Sequence, residues 1–256
     1  MTISNEKRKY ILNTYSKFWS ANRIQYGVVQ YDKDLVYELF KKIKNGKVLE
    51  VGIGDGFPYS NVADEMGYEV YGIDIAPVNV DMVKKSLPNI NASVGDAEDL
   101  EFQDNFFDIV FCFRSTWYFP NLIKSISEML RVVKNDGLVM FDILNSNHPT
   151  HVRIMKEEYR KQNSYIYAIS IRLIKNFLKL IIHPVKFFPR YWSLKKHIII
   201  HSPACPSSIN LYLSKINNIN YKIYGVNWKD SSYSLEEIDT TKDLDRFDRL
   251  VYKIYR

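Results

Sequence analysis

Residues 48–56 have the sequence Val-Leu-Glu-Val-Gly-Ile-Gly-Asp-Gly, an apolar run that leads into glycines at positions 52, 54 and 56. The run is typical of a buried strand, which we expect over residues 47–51. Because glycine has no Cβ atom, the backbone after this strand can turn sharply and approach a ligand closely. The stretch therefore predicts the first strand of a parallel sheet, with a ligand-binding turn at its carboxyl end.

Short apolar runs alternate with helical patterns from residue 47 to about residue 143. This alternation indicates βαβ units, so the predicted fold class is α/β, with a seven-stranded, mostly parallel sheet and helices on both faces. Between the last two strands the sequence predicts a polar, acidic loop. The predicted strands are 47–51, 69–74, 91–94, 107–113, 138–144, 221–226 and 249–255.

The regular alternation breaks after Asn145 and resumes near residue 206. We therefore expect one domain with four parts. They are an N-terminal helical cap (1–45), a cofactor-binding core (46–145), a basic helical insertion after the fifth strand (148–205) and the C-terminal part of the sheet (206–256).

The composition excludes several classes of protein. A chain of 256 residues can bury a large core without help from metals or disulfides. Cys112 and Cys205 have no partners at metal-ligand spacing, so neither a metal site nor a disulfide framework is expected. The sequence shows no signal-peptide pattern after Met1 and no uncharged apolar stretch of about 18 residues, which predicts a cytoplasmic protein.

The positive charge is concentrated in the insertion. Residues 151–205 have a net charge of +9, whereas the rest of the chain has −3. A basic amphipathic pattern with aromatic residues over 165–192 favours a lid that forms the acceptor site, and the same pattern is typical of peripheral membrane contact. Nucleic acid is a less favoured partner, because no recognisable nucleic-acid module accompanies the basic residues. The sequence does not predict the oligomeric state.

Carboxylates follow the next two predicted strands. Asp74 ends the second strand, 22 residues after Gly52, where a carboxylate can accept hydrogen bonds from both hydroxyls of a ribose. Asp96 and Ala97 follow the third strand, where a carboxylate and backbone groups can bind the edge of an adenine ring. The carboxyl ends of three consecutive strands thus predict a nucleoside pocket.

The surrounding charge indicates which nucleoside cofactor is bound. No Gly-Lys-Ser or Gly-Lys-Thr sequence is present, which argues against a phosphate-binding P-loop. The third glycine comes one residue earlier than a dinucleotide-binding turn prefers. Glu50 and Asp55 also place negative charge where a pyrophosphate would lie. The pattern favours a cationic cofactor.

In these motifs the chain resembles the class I S-adenosylmethionine-dependent methyltransferases, which have a Rossmann-like fold and act in many cases on small molecules. The resemblance covers about residues 47–143 and departs mildly at Asn135-Asp136, where the family usually has Pro-Gly. The motifs that carry it are residues 48–56, 71–75, 95–100, 106–110 and 128–137.

The resemblance implies S-adenosyl-L-methionine as cofactor, together with the residues that bind it. The glycines would line the methionine part, Glu50 would orient its ammonium group, Asp74 would bind the ribose and Asp96 the adenine amino group. Phe113 and Arg114 would lie beside the reacting methyl group. The implied cofactor-binding residues are Glu50, Gly52, Gly54, Gly56, Asp74, Ile75, Asp96, Ala97, Phe113 and Arg114.

The implied reaction is an in-line transfer of the methyl group to an oxygen or nitrogen of a small-molecule or lipid-linked acceptor. His148, just past the fifth strand, is a candidate general base, although a histidine before proline is often an ordinary loop residue. Arg114 can bind an acidic group of the acceptor or of the cofactor, or it can cap nearby carbonyls. Two alternatives stay open: a nicotinamide-dependent oxidoreductase, and a non-catalytic nucleoside-binding protein that acts through its basic insertion at a membrane or partner surface.

Overall fold

The computed structural model describes Phe40 and residues 45–161, 202–229, 232–238 and 243–256. The predicted N-terminal cap lies outside the described residues except at Phe40 and Asn45, and the predicted 165–192 segment lies wholly outside them.

The chain divides into two compact units. One unit is formed by residues 1–148 and 200–256, and the other by residues 149–199. The described part of the second unit is a helix at 149–161, in which Lys161 and Glu158 form an ion pair of 2.7 Å one turn apart.

An eight-stranded sheet forms the centre of the first unit, in the order β3-β2-β1-β4-β5-β8-β6-β7. Strands β1 to β5 are parallel, and β8, β6 and β7 continue the sheet in antiparallel pairs. Because β1 lies between β2 and β4, the strand order reverses there, which in open α/β sheets is where ligands bind. The strands are β1 (Lys47–Val51), β2 (Glu69–Asp74), β3 (Asn91–Val94), β4 (Phe107–Cys112), β5 (Val133–Leu144), β6 (Asn220–Lys229), β7 (Ser232–Glu237) and β8 (Arg249–Tyr255).

Helices cover both faces of this sheet. Helices α1 and α2 pack on one face with Val48 of β1, and α3 and α5 pack on the other with Leu49 and Val51. This division follows the alternation of side chains along a strand. The helices of the first unit are α1 (Tyr59–Glu65), α2 (Pro77–Ser86), α3 (Leu122–Val132) and α5 (Pro206–Leu213), with a short 3-10 helix at Thr116–Tyr118; the helix at 149–161, in the second unit, is α4.

The α/β class and the mostly parallel sheet are confirmed, but the predicted count of seven strands is wrong. The additional strand is β7, which lies where the sequence predicted an acidic loop. It pairs with β6 at the end of the sheet, so its carboxylates can remain exposed. Glu237, for example, pairs with Lys222 at 2.9 Å. An acidic edge strand also resists pairing with other chains.

Strand β5 is longer than predicted, because it begins at Val133 and not at Leu138. Helix α3 ends at Val132, and Val133 already pairs with Phe107 of β4. The guanidinium of Arg256 donates to the carbonyl of Val133 at 2.6 Å and to that of Leu130 at 2.8 Å. These bonds satisfy carbonyls at the helix end that would otherwise lack partners.

No described helix combines the length and the apolar character that crossing a membrane requires. Helix α3 has a strongly buried face, yet it is only 11 residues long, whereas a membrane span needs about 20.

Candidate functional site

The turn after β1 has the left-handed backbone that only glycine adopts easily. The φ angles are +79° at Gly52, +61° at Gly54 and +81° at Gly56. A Cβ atom at Gly52 would lie 2.7 Å from the Cβ of Ser115, and one at Gly56 would lie 2.6 Å from the Leu87 side chain. The turn therefore requires glycine both for its conformation and for its close packing.

Asp74 ends β2 and is held by two backbone N–H groups. Its Oδ2 accepts from Gly54 at 3.0 Å, and its Oδ1 accepts from Ala76 at 2.9 Å. The carboxylate is partly exposed, as is the following residue, Ile75. These bonds fix the orientation of the carboxylate and join the end of β2 to the glycine turn.

The end of β3 is joined to the same group of residues. The N–H of Gly95 donates to the Asp74 carbonyl at 3.1 Å. The Oδ1 of Asp96 accepts from the N–H of Glu98 at 2.9 Å, and the two residues enclose the buried Ala97. Asp96 is partly exposed, so its carboxylate can meet a ligand at this edge of the sheet.

Glu50 is a buried carboxyl group on the face of β1 that α1 covers. Its exposed fraction is 2%, and the hydroxyl of Ser60 donates to its Oε2 at 2.5 Å. Burial raises the pKa of Glu50 well above its usual value; the hydroxyl bond from Ser60 lowers it, and the negative charges of Asp55 and Asp74 raise it. The site thus contains a carboxyl group whose ionised form lacks adequate stabilisation.

The segment after β4 contacts the glycine turn. The Ser115 hydroxyl donates to the Gly52 carbonyl at 3.1 Å. Phe113 is only 2% exposed and packs against Tyr59 with ring centres 5.0 Å apart, so it belongs to the core. Arg114 is exposed and has a left-handed backbone, with φ +58°. A non-glycine residue in this conformation is strained and needs support from its surroundings.

That support comes from Asp142 of β5, a residue that the sequence analysis missed. Its Oδ1 accepts from the Arg114 N–H at 2.8 Å, its Oδ2 accepts from Arg249 Nε at 2.5 Å, and its carbonyl accepts from the Thr116 hydroxyl at 2.5 Å. The side chains of Asp142 and Arg249 are at most 5% exposed. Burial raises the pKa of Asp142, and the Arg249 charge opposes that rise. The sequence did contain a signal for Asp142, because it is the one acid in the otherwise apolar run Leu138–Leu144.

His148 lies in the turn after β5 and is partly exposed. The backbone N–H of His148 donates to the carbonyl of Asn145 at 3.1 Å. Asn145 is fully buried; its side-chain amide donates to the carbonyls of Phe247, at 2.8 Å, and Leu244. The structure therefore places His148 at the same edge of the sheet as Arg114, on a well-anchored turn.

The groups at this edge fit a cationic nucleoside cofactor. Glu50, Asp74 and Asp96 contribute carboxyl oxygens on three neighbouring strand ends, which hydrogen bonds join around the glycine turn. Such acceptors match ribose hydroxyls, an adenine amino group and positively charged groups. Within the described ranges, no group of three or more His, Cys, Asp or Glu residues could hold a metal ion.

Residues 49–141 match the profile of a family described as "Methyltransferase domain". Sterol 4-C-methyltransferase strm-1 of Caenorhabditis elegans is 27% identical over 140 residues, which are 52% of this chain and 41% of that protein. Phosphoethanolamine N-methyltransferase 2 of the same organism is 28% identical over 144 residues, 54% of this chain and 32% of that protein. The matched stretch thus covers less than half of either relative.

A solved structure of a SAM-dependent methyltransferase from Thermotoga maritima has a similar fold. It superposes with a TM-score of 0.59 and covers 99% of both chains, at 12% sequence identity. At this identity the likeness concerns the fold alone.

Replacing the buried carboxyl of Glu50 should stabilise the protein in the absence of cofactor. Because folding raises the pKa of Glu50, its favourable contribution is present at acidic pH and is lost as the pH rises from about 4.5 through the raised pKa. Glu50→Gln should therefore raise Tm above the wild-type value by an amount that grows with pH, about 2–4 °C for each kcal/mol gained.

Thermal unfolding between pH 4 and pH 9 measures this difference. Glu65→Gln, at an exposed position of α1, is the control and should show no such trend. A Tm difference that stays constant with pH would contradict the assignment.

Breaking the buried ion pair at Asp142 should be costly. Arg249→Met leaves the Asp142 carboxylate without its charged partner and should lower the free energy of unfolding by about 3–5 kcal/mol. Arg246→Met removes an exposed pair with Glu236 and should cost about 0–1 kcal/mol. Urea unfolding compares the two variants, and equal losses would show that the Asp142 pair has no special role.

Proposed function

We propose that this chain, which belongs to the class I S-adenosylmethionine-dependent methyltransferases, transfers the methyl group of that cofactor to an oxygen or nitrogen of a small-molecule or lipid-linked acceptor. The observation that carries the proposal is the hydrogen-bonded junction of three strand ends. The Gly54 N–H meets the Asp74 carboxylate, and the Asp74 carbonyl meets the Gly95 N–H. This junction places hydrogen-bond acceptors around a turn whose three glycines carry no side chains that could obstruct a ligand.

The cofactor, S-adenosyl-L-methionine, supplies an electrophilic methyl group on a positively charged sulfur. The residues that would hold it are Asp74 at the ribose, Asp96 at the adenine amino group, and Glu50 with the glycine turn at the methionine part. Asp74 is suited to this role because Gly54 and Ala76 already fix its orientation. A carboxylate whose orientation is already fixed loses little conformational entropy when the ligand binds.

The rest of the edge would position the acceptor. Alignment of the reacting groups can supply about 7–11 kcal/mol of the rate enhancement, so the rigidity of the segment after β4 matters. Asp142 holds the strained backbone of Arg114, and the Arg114 side chain is exposed where it can meet an acidic group. His148, on its anchored turn, would take the proton from an acceptor hydroxyl or amine.

The class of acceptor is inferred from the relatives and from charge. The two relatives described above are named for a sterol and for phosphoethanolamine. The basic segment 151–205, with a net charge of +9, would attract an anionic membrane surface or an acidic acceptor. We infer an enzyme that acts in the cytoplasm and meets lipid through residues 165–192.

The two alternatives gain no support from the two relatives described above, which are both named as methyltransferases. A nicotinamide-dependent oxidoreductase would have to bind a pyrophosphate beside the negative charge of Asp55, which repels it. A binding protein without catalysis would retain cofactor affinity and show no methyl transfer.

Asp74→Ala should weaken binding of S-adenosylhomocysteine by about 1.5–3 kcal/mol, the scale for losing hydrogen bonds to a charged group. Calorimetric titration measures the affinity. Asp81→Ala, at an exposed position of α2, is the matched control and should leave it unchanged. Tight binding of NAD by the wild type, or unchanged affinity in Asp74→Ala, would contradict the proposed function.

Methyl transfer is tested with S-adenosylmethionine labelled in its methyl group, added with either a lipid extract or a water-soluble metabolite extract. Label should appear in the lipid fraction. His148→Gln should slow the transfer by about 10²–10⁴-fold, because a general base is lost, with unchanged affinity for S-adenosylhomocysteine. An unchanged rate in His148→Gln would remove the residue from the reaction.

A further inference from the structure

Glu50 and Ser60 form a buried polar pair between β1 and α1. Glu50 is 2% exposed and Ser60 is fully buried. Ser60 donates to the carboxyl group through its hydroxyl, at 2.5 Å, and its backbone N–H also favours the ionised form of Glu50. The two residues are ten positions apart, and the glycine turn between them brings the start of α1 onto the end of β1.

Among the described residues, the titratable groups that act on Glu50 are all acids. Asp55 faces it from the glycine turn and Asp74 from β2, and both disfavour a negative charge on Glu50. The buried thiol of Cys112 in β4 also interacts electrostatically with Glu50, and because burial raises the pKa of this thiol, it stays neutral. A carboxylate in such surroundings is costly, and the group lowers this cost by keeping its proton.

We propose that Glu50 holds a proton in the cofactor-free protein and releases it to solvent when S-adenosylmethionine binds, and that Ser60 is the positioning residue that controls this exchange. The inference rests on the proposed function, since it requires a cation at this site. The bound ammonium and sulfonium groups stabilise the carboxylate. The O–H bond of the carboxyl group breaks, the electron pair stays on oxygen, and the proton passes to the buffer.

Ser60 affects this protonation equilibrium because its hydroxyl hydrogen bond favours the ionised carboxylate, as does its backbone N–H. Without the hydroxyl, Glu50 holds its proton more strongly, and cofactor binding has to overcome a larger cost. The affinity for S-adenosylmethionine should therefore rise with pH, because less free energy is spent on removing the proton as the pH increases. In Ser60→Ala this rise should move to higher pH.

Proton release is measured by calorimetric titration of S-adenosylmethionine into the intact protein, in two buffers of small and large ionisation enthalpy at each pH. At pH 7 the wild type should release a measurable fraction of one proton, and Glu50→Gln should release none. Equal heats in the two buffers for the wild type would overturn the proposal while leaving the proposed function in place. Failure of both S-adenosylmethionine and S-adenosylhomocysteine to bind would instead contradict the proposed function itself.

Two further variants keep the test independent of any defect in Glu50→Gln. Asp55→Asn removes one acidic neighbour and should decrease the number of protons released at pH 7. Ser60→Ala should release more protons than the wild type at pH 8 and recover affinity only at higher pH. Ser125→Ala, which also removes a fully buried helical serine hydroxyl, is the matched control and should follow the wild-type pH profile. Identical profiles for the two serine variants would overturn the role of Ser60.

Discussion

The left-handed backbone at Gly52, Gly54 and Gly56 is the constraint on which the candidate site depends. Residues with a Cβ atom disfavour this conformation, and at Gly52 a Cβ would also collide with Ser115. Because the turn stays tight, the N–H of Gly54 reaches the Asp74 carboxylate and the carbonyl of Gly52 reaches the Ser115 hydroxyl. One local conformation therefore sets the relative positions of the ends of β1, β2 and β4.

Two buried acids flank this arrangement, and the protein treats them differently. By the alternation of side chains, Glu50 and Asp142 project to the same face of the sheet. Asp142 pairs with the guanidinium of Arg249 and holds the segment after β4 in place. Glu50 has a hydroxyl partner and acidic neighbours. A carboxylate that is permanently paired with a cation, as Asp142 is, suits a structural role. A carboxyl group with no cationic partner among the described residues, as at Glu50, is suited to a cation that must bind and leave. Under the proposed function, the destabilising effect of the Glu50 carboxylate is a cost in stability that accompanies cofactor binding.

The meeting of the glycine turn with Asp74 could be predicted because its signals are local. The glycines, the strand before them and Asp74 lie close together in sequence, and the spacing reveals their common edge. The Asp142–Arg249 pair could not be predicted, because its members are 107 residues apart and meet through the pairing of β5 with β8. Strand β7 was missed for a different reason: an edge strand can carry acids such as Glu237, and its composition then matches that of a loop.

The antiparallel direction of β8 explains how the C-terminal part of the chain contributes to the site. A parallel strand would begin at the opposite edge, whereas β8 begins at Arg249, beside the carboxyl end of β5. The preceding residues reach the same edge, where the carbonyl of Asp248 accepts from the N–H of Asn145 at 2.8 Å. The family match ends at residue 141, one residue before Asp142. Asp142, Asn145 and Arg249 therefore lie outside the matched stretch. Under the proposed function they support the acceptor side of the site, and they can change with the acceptor while the glycine turn and Asp74 stay the same.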